Sequence, residues 1–352
     1  MGQNKKRASM ISPKAKLVKE ILNIKKVGQA PTRNGYGDGL VEAGRKNKNV
    51  VVLCADLTES TRSEAFAKEF PERFVEMGVA EQNMASVASG MAACGKIPFI
   101  SSYAMFSPGR NWEQIRTTIC YNERHVIIGG AHAGVSVGPD GATHQAIEDI
   151  AITRVLPNMT VIVPCDAVEA KKATVASVGL KGAVYLRFAR EKTPILTTDK
   201  TPFKVGRAEI LWDSNLETGF PSGNPVSKKP DVAVISCGPL VHNALLAAAE
   251  LEKKGIKVRV INNHTIKPVD EKTILKAAKD AGCLVTVEEH QINGGMGSAV
   301  AEIIARSYPV PIEFVGVKNR FGESGEPNEL IVCFGMSPKH IVEAAKKVLK
   351  RK

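Results

Sequence analysis

At 352 residues, with 43% hydrophobic and 24% charged side chains, the chain has the composition of a soluble globular protein of two or three domains. No run of about 18 apolar residues exists to span a membrane. The net charge of +12 raises nucleic acid as a partner, but the lysines are spread through helices and termini and aromatic residues make up only 5%, so neither a basic stripe nor a stacking platform is present. The same charge suits sugar phosphates or an acidic partner chain.

Residues 1–30 read as a solvated basic arm, with Lys5, Lys6, Arg7, Lys14, Lys16 and Lys19, a helix over 13–24 and no signal-peptide core. A doubly wound α/β domain follows over 31–192. Its first helix covers 39–44, and the strand 50–55 is an unbroken apolar run of the kind covered on both faces. The loop from Asp56 to Ser60 leaves the carboxyl end of that strand, where polar groups face a ligand crevice. A short strand at 73–76, a turn at Gly78 and a helix from Glu81 through Ala93 come next. Small residues keep that helix thin, so another backbone can approach, from its own sheet or from a second chain. The segment 97–100 then leads to Tyr103 and Phe106, a helix covers 112–120, and the strand 126–130 delivers His132. A glycine-rich loop from Ala133 to Gln145 holds Asp140 and His144, and strands at 160–163 and 184–187 follow, the latter ending near Arg190.

Residues 193–230 read as a linker rich in Thr, Pro, Lys, Asn and Ser, including 218–225, with a strand around 207–211. Strands at 231–236, 258–261, 283–288 and 311–315 alternate with helices at 241–253, 271–281, 298–306 and 338–350. This makes 231–352 a second parallel α/β domain, and the fold class α/β with two doubly wound parallel-sheet domains. Seven cysteines with no CxxC pair suit free thiols in a reducing, cytoplasmic setting and argue against a zinc site.

Most histidines read as structural: His125, His242 and His340 within the fold, His264 and His290 at the contact between domains. His132 and His144 differ, because they flank one glycine-rich loop with Asp140 between them. Such a cluster can bond hydroxyls and phosphates and shuttle protons near neutral pH. Tyr103 and Phe106 are either core or a flat platform for a planar ring. Glu81 is either a helix cap or a buried carboxylate. Together with an aromatic platform it is what an aminopyrimidine needs: stacking to hold the ring, and a carboxylate to meet its ring nitrogen. Gly294-Gly295-Met296-Gly297 lacks the spacing of a dinucleotide turn and reads as a close-packed turn.

The runs Gly78-Val79-Ala80-Glu81-Gln82-Asn83-Met84, Val137-Gly138-Pro139-Asp140-Gly141-Ala142-Thr143-His144-Gln145, Ile266-Lys267-Pro268-Val269-Asp270 and Ser324-Gly325-Glu326-Pro327-Asn328-Glu329-Leu330 resemble transketolase. The resemblance covers the C-terminal half of that enzyme, from about residue 30 onward, and is to the C-terminal subunit of a split transketolase. It implies a pyrimidine-binding domain for thiamin diphosphate followed by a transketolase C-terminal domain. Glu81 would face the pyrimidine's ring nitrogen, Tyr103 and Phe106 would stack on the ring, and Asp56 matches a cofactor-contacting loop position. His132, Asp140 and His144 match residues around the substrate's hydroxyls, with Glu81, His132 and His144 as the catalytic set, and Ser60 and Arg190 match positions that grip its phosphate. Gln82 stands where the family often has histidine.

The diphosphate-binding half is not matched. Gly37-Asp38-Gly39 copies the start of the thiamin diphosphate and metal signature, but no strand precedes it and 63–68 hold no asparagine, so it reads as a helix start. The resemblance therefore implies no metal site here, with Mg2+ or Ca2+ and the diphosphate on an N-terminal transketolase subunit. It also implies self-association through the thin helix, giving a heterotetramer that moves a two-carbon ketol unit between sugar phosphates in the pentose phosphate pathway. The alternatives are the C-terminal half of a deoxyxylulose phosphate synthase, favoured by Val287-Glu288-Glu289-His290, the β subunit of a 2-oxoacid dehydrogenase, and a non-catalytic relative.

Overall fold

The strands that read as unbroken apolar runs are buried along their whole length and build two sheets. The computed structural model describes residues 10–214 and 229–352. In the first unit β1 (Gln29–Pro31) leads into α1 (Thr32–Lys46), β2 (Val50–Cys54), α2 (Glu64–Glu69), β3 (Phe74–Glu76), α3 (Glu81–Ala93) and β4 (Ile97–Tyr103). Then come α4 (Trp112–Gln114, running into a π-helical stretch Ile115–Tyr121), β5 (Ile127–Ala131), α5 (Asp149–Arg154), β6 (Met159–Ile162), α6 (Ala167–Ser177) and β7 (Ala183–Arg187). After β8 (Lys192–Pro194) and β9 (Glu209–Asp213), the second unit runs β10 (Val232–Ser236), α7 (Val241–Lys253), β11 (Val258–Asn262), β12 (Thr265–Lys267) and α8 (Glu271–Ala281). It closes with β13 (Leu284–Gln291), α9 (Met296–Ser307), β14 (Ile312–Val317), α10 (Pro327–Cys333) and α11 (Pro338–Leu349).

The first sheet has the order β12-β6-β7-β5-β4-β2-β3 and the second β14-β13-β10-β11-β9. Both are parallel except at one edge, β12 in the first and β9 in the second. This is the expected α/β class of two doubly wound sheets. The strand β12 comes from the second unit and pairs with β6, with Thr265 opposite Ile162. One buried apolar cluster joins Ile128 and Tyr185 of the first sheet to Ile235, Ile261 and Leu284 of the second, so the units share a core. In the first sheet the winding reverses between β2 and β4, and in such sheets the crevice at the carboxyl ends beside that reversal is where ligands sit.

Three local expectations are corrected. The run Gly37-Asp38-Gly39 lies inside α1, which starts at Thr32. Glycine is needed there for packing: a Cβ at Gly35 would fall 1.8 Å from the Ala167 carbonyl oxygen, and one at Gly39 would fall 2.6 Å from Thr174 Cβ, so α1 presses directly on α6. The stretch 10–27 is not a solvated arm either. Ala15 and Ile21 are buried with Trp212, Val241 and Leu245, the Ser12 amide donates to Leu211 O at 2.9 Å, and the His242 ring meets Ile21 O at 2.9 Å. Apolar side chains decide its position, while the lysines keep their charged ends in water. The helix expected over 13–24 is a single 3-10 turn, Pro13–Ala15, followed by Lys16 in the left-handed region. Residues 193–214 of the expected linker belong to the fold: β8 pairs with β1, the Leu196 and Thr197 amides donate to buried Asp166, and β9 joins the second sheet. The motif at 218–225 lies outside the described residues, as do residues 1–9. Among the described residues no helix is long and apolar enough to cross a membrane.

Candidate active site

Glu81 is the first residue of α3 and only 2% exposed. A carboxylate at that position meets the free amides and positive end of the helix. Its backbone is fixed by Asn111, whose side-chain amide donates to Glu81 O at 3.1 Å and to Ser107 Oγ at 3.1 Å. Its side chain is not fixed in the same way: Oε2 is buried with no hydrogen-bond partner, and the nearest cation, Arg110, stands 3.6 Å away. A buried carboxylate oxygen left unpartnered costs free energy, which is tolerated where a ligand supplies the missing bond. The Arg110 guanidinium also lies 5.6 Å from the Phe106 ring centre, which ties the carboxylate to the aromatic group.

Four rings gather at the end of β4. Tyr103 and Phe106 are nearly parallel, 22° apart with centroids at 6.2 Å, while His132 is 4.2 Å from Tyr103 and His144 is 5.4 Å from Phe106. The Cys54–Ser101 pair between β2 and β4 places Asp56 level with Tyr103, two residues further along each strand. Asp56, Arg62 and His132 all adopt positive φ without being glycine. Residues held there cost of order 1–3 kcal/mol each and collect at ligand sites.

Behind the rings lies a group of cations. Arg33, on α1, donates through Nη1 to Ser60 O at 2.7 Å and to His132 Nε2 at 2.9 Å. Arg190 donates to Val137 O at 2.9 Å, and Arg62 donates to Asn34 Oδ1 at 3.0 Å. Burial, with Arg62 and Arg190 close by, lowers the pKa of Arg33. Among the described residues only Arg190 of the three has a carboxylate within 4 Å, Glu191 at 3.2 Å. Three guanidinium groups with a single carboxylate close to them leave an excess of positive charge, which attracts anions.

The same charges act on His132. Burial, then Arg33 and Arg190, push its pKa down to about 3. The ring accepts from Arg33 at Nε2, which assigns its proton to Nδ1, and that buried Nδ1 has no partner in the protein. In this setting the His132 ring is held neutral, with Nδ1 free to donate a hydrogen bond. The unfolded chain takes up this proton below about 6.5, whereas the folded protein resists it down to about 3. Stability present above pH 6.5 is thus expected to fall on acidification toward pH 3. His132→Gln should flatten that part of a urea-midpoint profile, and an unchanged profile would remove this account.

Of the residues singled out in the sequence, Tyr103, Phe106, His132 and His144 converge, with Ser60 joined to them through Arg33. Arg190 holds the glycine-rich loop through Val137. Asp140 is exposed at the end of the 3-10 turn Val135–Asp140, and Asp56 is exposed with its amide on Glu76 Oε1 at 2.7 Å. His125, His242 and His340 each bond a backbone or hydroxyl oxygen within the fold. His290 accepts the Ala151 amide across the boundary between units. Arg33, Arg62 and Arg110 were missed. A signal for Arg33 existed: a cation in the first turn of a helix opposes the helix dipole and needs another reason to be there. Among the described residues no group of three His, Cys, Asp or Glu side chains is placed to hold a metal.

Residues 28–195 match the transketolase pyrimidine-binding domain and residues 222–341 the transketolase C-terminal domain. The chain belongs to the transketolase family. It is 42% identical over 322 residues to a putative transketolase C-terminal section of Methanocaldococcus jannaschii, covering 91% of this chain and 96% of that one. It is 36% identical over 320 residues to a 6-deoxy-6-sulfo-D-fructose transketolase subunit of Clostridium sp., covering 91% and 95%. Human transketolase is 36% identical over 324 residues, but these are 91% of this chain and 49% of that one, so the chain spans about half the human enzyme's length. A solved structure of a split gene transketolase, an inactive beta4 tetramer, superposes with a TM-score of 0.81 at 41% identity, covering 91% of this chain and 98% of that one. The family's pyrimidine domain implies dependence on thiamin diphosphate, and the split relatives imply a partner subunit.

Proposed function

We propose that this chain is the C-terminal subunit of a cytoplasmic transketolase that moves a two-carbon ketol unit from a ketose phosphate to an aldose phosphate in the pentose phosphate pathway. The observation that carries this reading is the buried Glu81 oxygen without a hydrogen-bond partner near the Tyr103 and Phe106 rings, with the Arg33 guanidinium bonded to Nε2 of His132. An aminopyrimidine fits the first half of that arrangement: its ring nitrogen completes Glu81, and its face lies on the aromatic pair. When bound, thiamin diphosphate supplies the electron sink for cleaving a carbon–carbon bond. Glu81 holds a proton with that ring nitrogen. His132 donates from Nδ1 to a sugar oxygen, and His144 and Asp140 bound the sugar from the glycine-rich loop. Arg33, Arg190 and Ser60 hold the phosphate, for which planar guanidinium forks are suited. Asp56 closes the cofactor side.

The diphosphate and its Mg2+ or Ca2+ belong, in this reading, to an N-terminal transketolase subunit. Two copies of this chain pair through α3, giving a heterotetramer. The outward residues Gln82, Asn83, Ser86 and Gly90 are exposed, and a Cβ at Gly90 would touch nothing in its own chain, leaving room for a second backbone. Seven free thiols, five of them buried, fit a reducing compartment.

Product analysis tests the reading. This chain mixed with its purified partner, thiamin diphosphate and Mg2+ should convert xylulose 5-phosphate and ribose 5-phosphate, while neither subunit turns over alone. Condensation only of pyruvate with glyceraldehyde 3-phosphate would replace it with the deoxyxylulose phosphate synthase reading. A 1:1 complex in sedimentation velocity would remove the pairing through α3.

A further inference from the structure

The run Val287-Glu288-Glu289-His290, which favoured the synthase alternative, and the run Ser324-Gly325-Glu326-Pro327, which resembles transketolase, supply none of the side chains that converge on the Tyr103 and Phe106 rings. The structure gives both a task. The last four residues of β13 are polar, and Glu288, Glu289 and His290 are buried where the two units meet. Side chains alternate along a strand, so adjacent glutamates serve opposite faces. Glu288 stays within its own unit, accepting the Met296 and Gly297 amides at 2.7 Å each and capping α9. Glu289 crosses to the first unit. Its Oε1 accepts the Ser136 amide at 2.6 Å, inside the glycine-rich loop, and its carbonyl accepts Arg187 Nη2 at 2.9 Å.

The segment around 322–327 grips the same loop from another side. Gln145, only 1% exposed, donates through Nε2 to Val135 O at 3.0 Å, Gly138 O at 3.2 Å and Glu323 O at 2.9 Å. One side chain thus ties both arms of the loop to the second unit. Gly138 and Gly141 have positive φ, and a Cβ would stand 3.0 Å from Pro327 Cγ at the first and 2.6 Å from Ser324 Oγ at the second. The loop follows a path that only glycine allows, pressed against the second unit.

We propose that the second unit is a clamp on the loop that carries Asp140 and His144, and that Glu289 is a positioning residue for sugar binding. It acts through the Ser136 amide without touching the sugar. The role in catalysis rests on the function proposed above, whereas the clamp itself does not.

Glu289→Ala removes one jaw, and Gln145→Leu, of similar volume, releases the other and decides the matter if the first variant does not fold. In hydrogen exchange on the full chain, both should speed uptake over 133–145 by about tenfold or more while 81–93 stays protected. In the complex with the partner subunit, the KM for sugar phosphate should rise about tenfold, with half-saturation by thiamin diphosphate changing less than about twofold. The effects of Glu289→Ala and His144→Ala should be less than additive. Unchanged exchange over 133–145 would overturn the clamp. A freed loop with unchanged KM, or full additivity with His144→Ala, would overturn the positioning role. Failure of the unmodified complex to act on any sugar phosphate would instead sink the function reading, with exchange still deciding the clamp.

Discussion

Glu81→Gln should lower turnover of the reconstituted complex by roughly 10²–10⁴-fold, the range spanned by a positioned proton-transferring group. The amide keeps the shape of the carboxylate and can still meet a ring nitrogen, but it cannot hold the charge or exchange the proton. The fold should survive, because the backbone of Glu81 is secured separately by Asn111. Thermal stability is expected to hold or rise slightly, since the buried Oε2 has no hydrogen bond to lose, its ion pair with Arg110 is long and half-exposed on the arginine side, and an amide is less costly to bury than a carboxylate. Loss of activity with equal or better stability is the signature of a group retained for function. Turnover within about threefold of the unmodified complex would point to another proton acceptor or to a non-catalytic chain.

The second large effect concerns stability. Asp149 Oδ2 accepts Arg187 Nε at 2.7 Å and the Tyr185 hydroxyl at 2.6 Å, with both charged side chains almost wholly inaccessible. Burial opposes the charge on Asp149, but Arg187 outweighs it and holds the carboxyl below its usual range. Asp149→Ala would strand a buried guanidinium and is expected to cost about 3–5 kcal/mol in denaturant unfolding. Arg187 would keep its bonds to Ala146 O and Glu289 O, which set the lower part of that range. Replacing both partners, Asp149→Leu with Arg187→Met, should recover much of the loss. A cost below about 1 kcal/mol for the single change would mean that water or a neighbouring carboxylate reaches Arg187.

The fold was legible wherever one residue pattern decided one element. The run Val50-Val51-Val52-Leu53-Cys54 has no polar residue to face solvent, and Val241 to Lys253 has a clear apolar stripe, so both were placed nearly to the residue. The helix α6 was not seen, because its alanines, lysines and valines have little sidedness, and its contact with α1 depends on glycines in that other helix. The strand β12 was missed because Thr265-Ile266-Lys267 is too short to mark itself and is held by a sheet belonging to the other unit. In the site, Tyr103, Phe106, His132 and His144 stood out because aromatic residues are scarce and the loop is rich in glycine. Arg33 did not, since its partners Ser60 and His132 lie 27 and 99 positions away and only the folded sheet brings them together. Glu289 was conspicuous as a motif but silent as to purpose, because its partner is a backbone amide, which no side-chain pattern records.

The borrowed strand β12 also bears on how far the two halves of this polypeptide can be treated as separate pieces. Excised at residue 195, the first half would lose its outermost ribbon, and the strand β6 would become an open edge, with Val161 and Ile162 bonded to water in place of a strand partner. A bare, apolar margin of that kind invites neighbouring molecules to stack on it, so the boundary between the two sequence families is a poor place to cut.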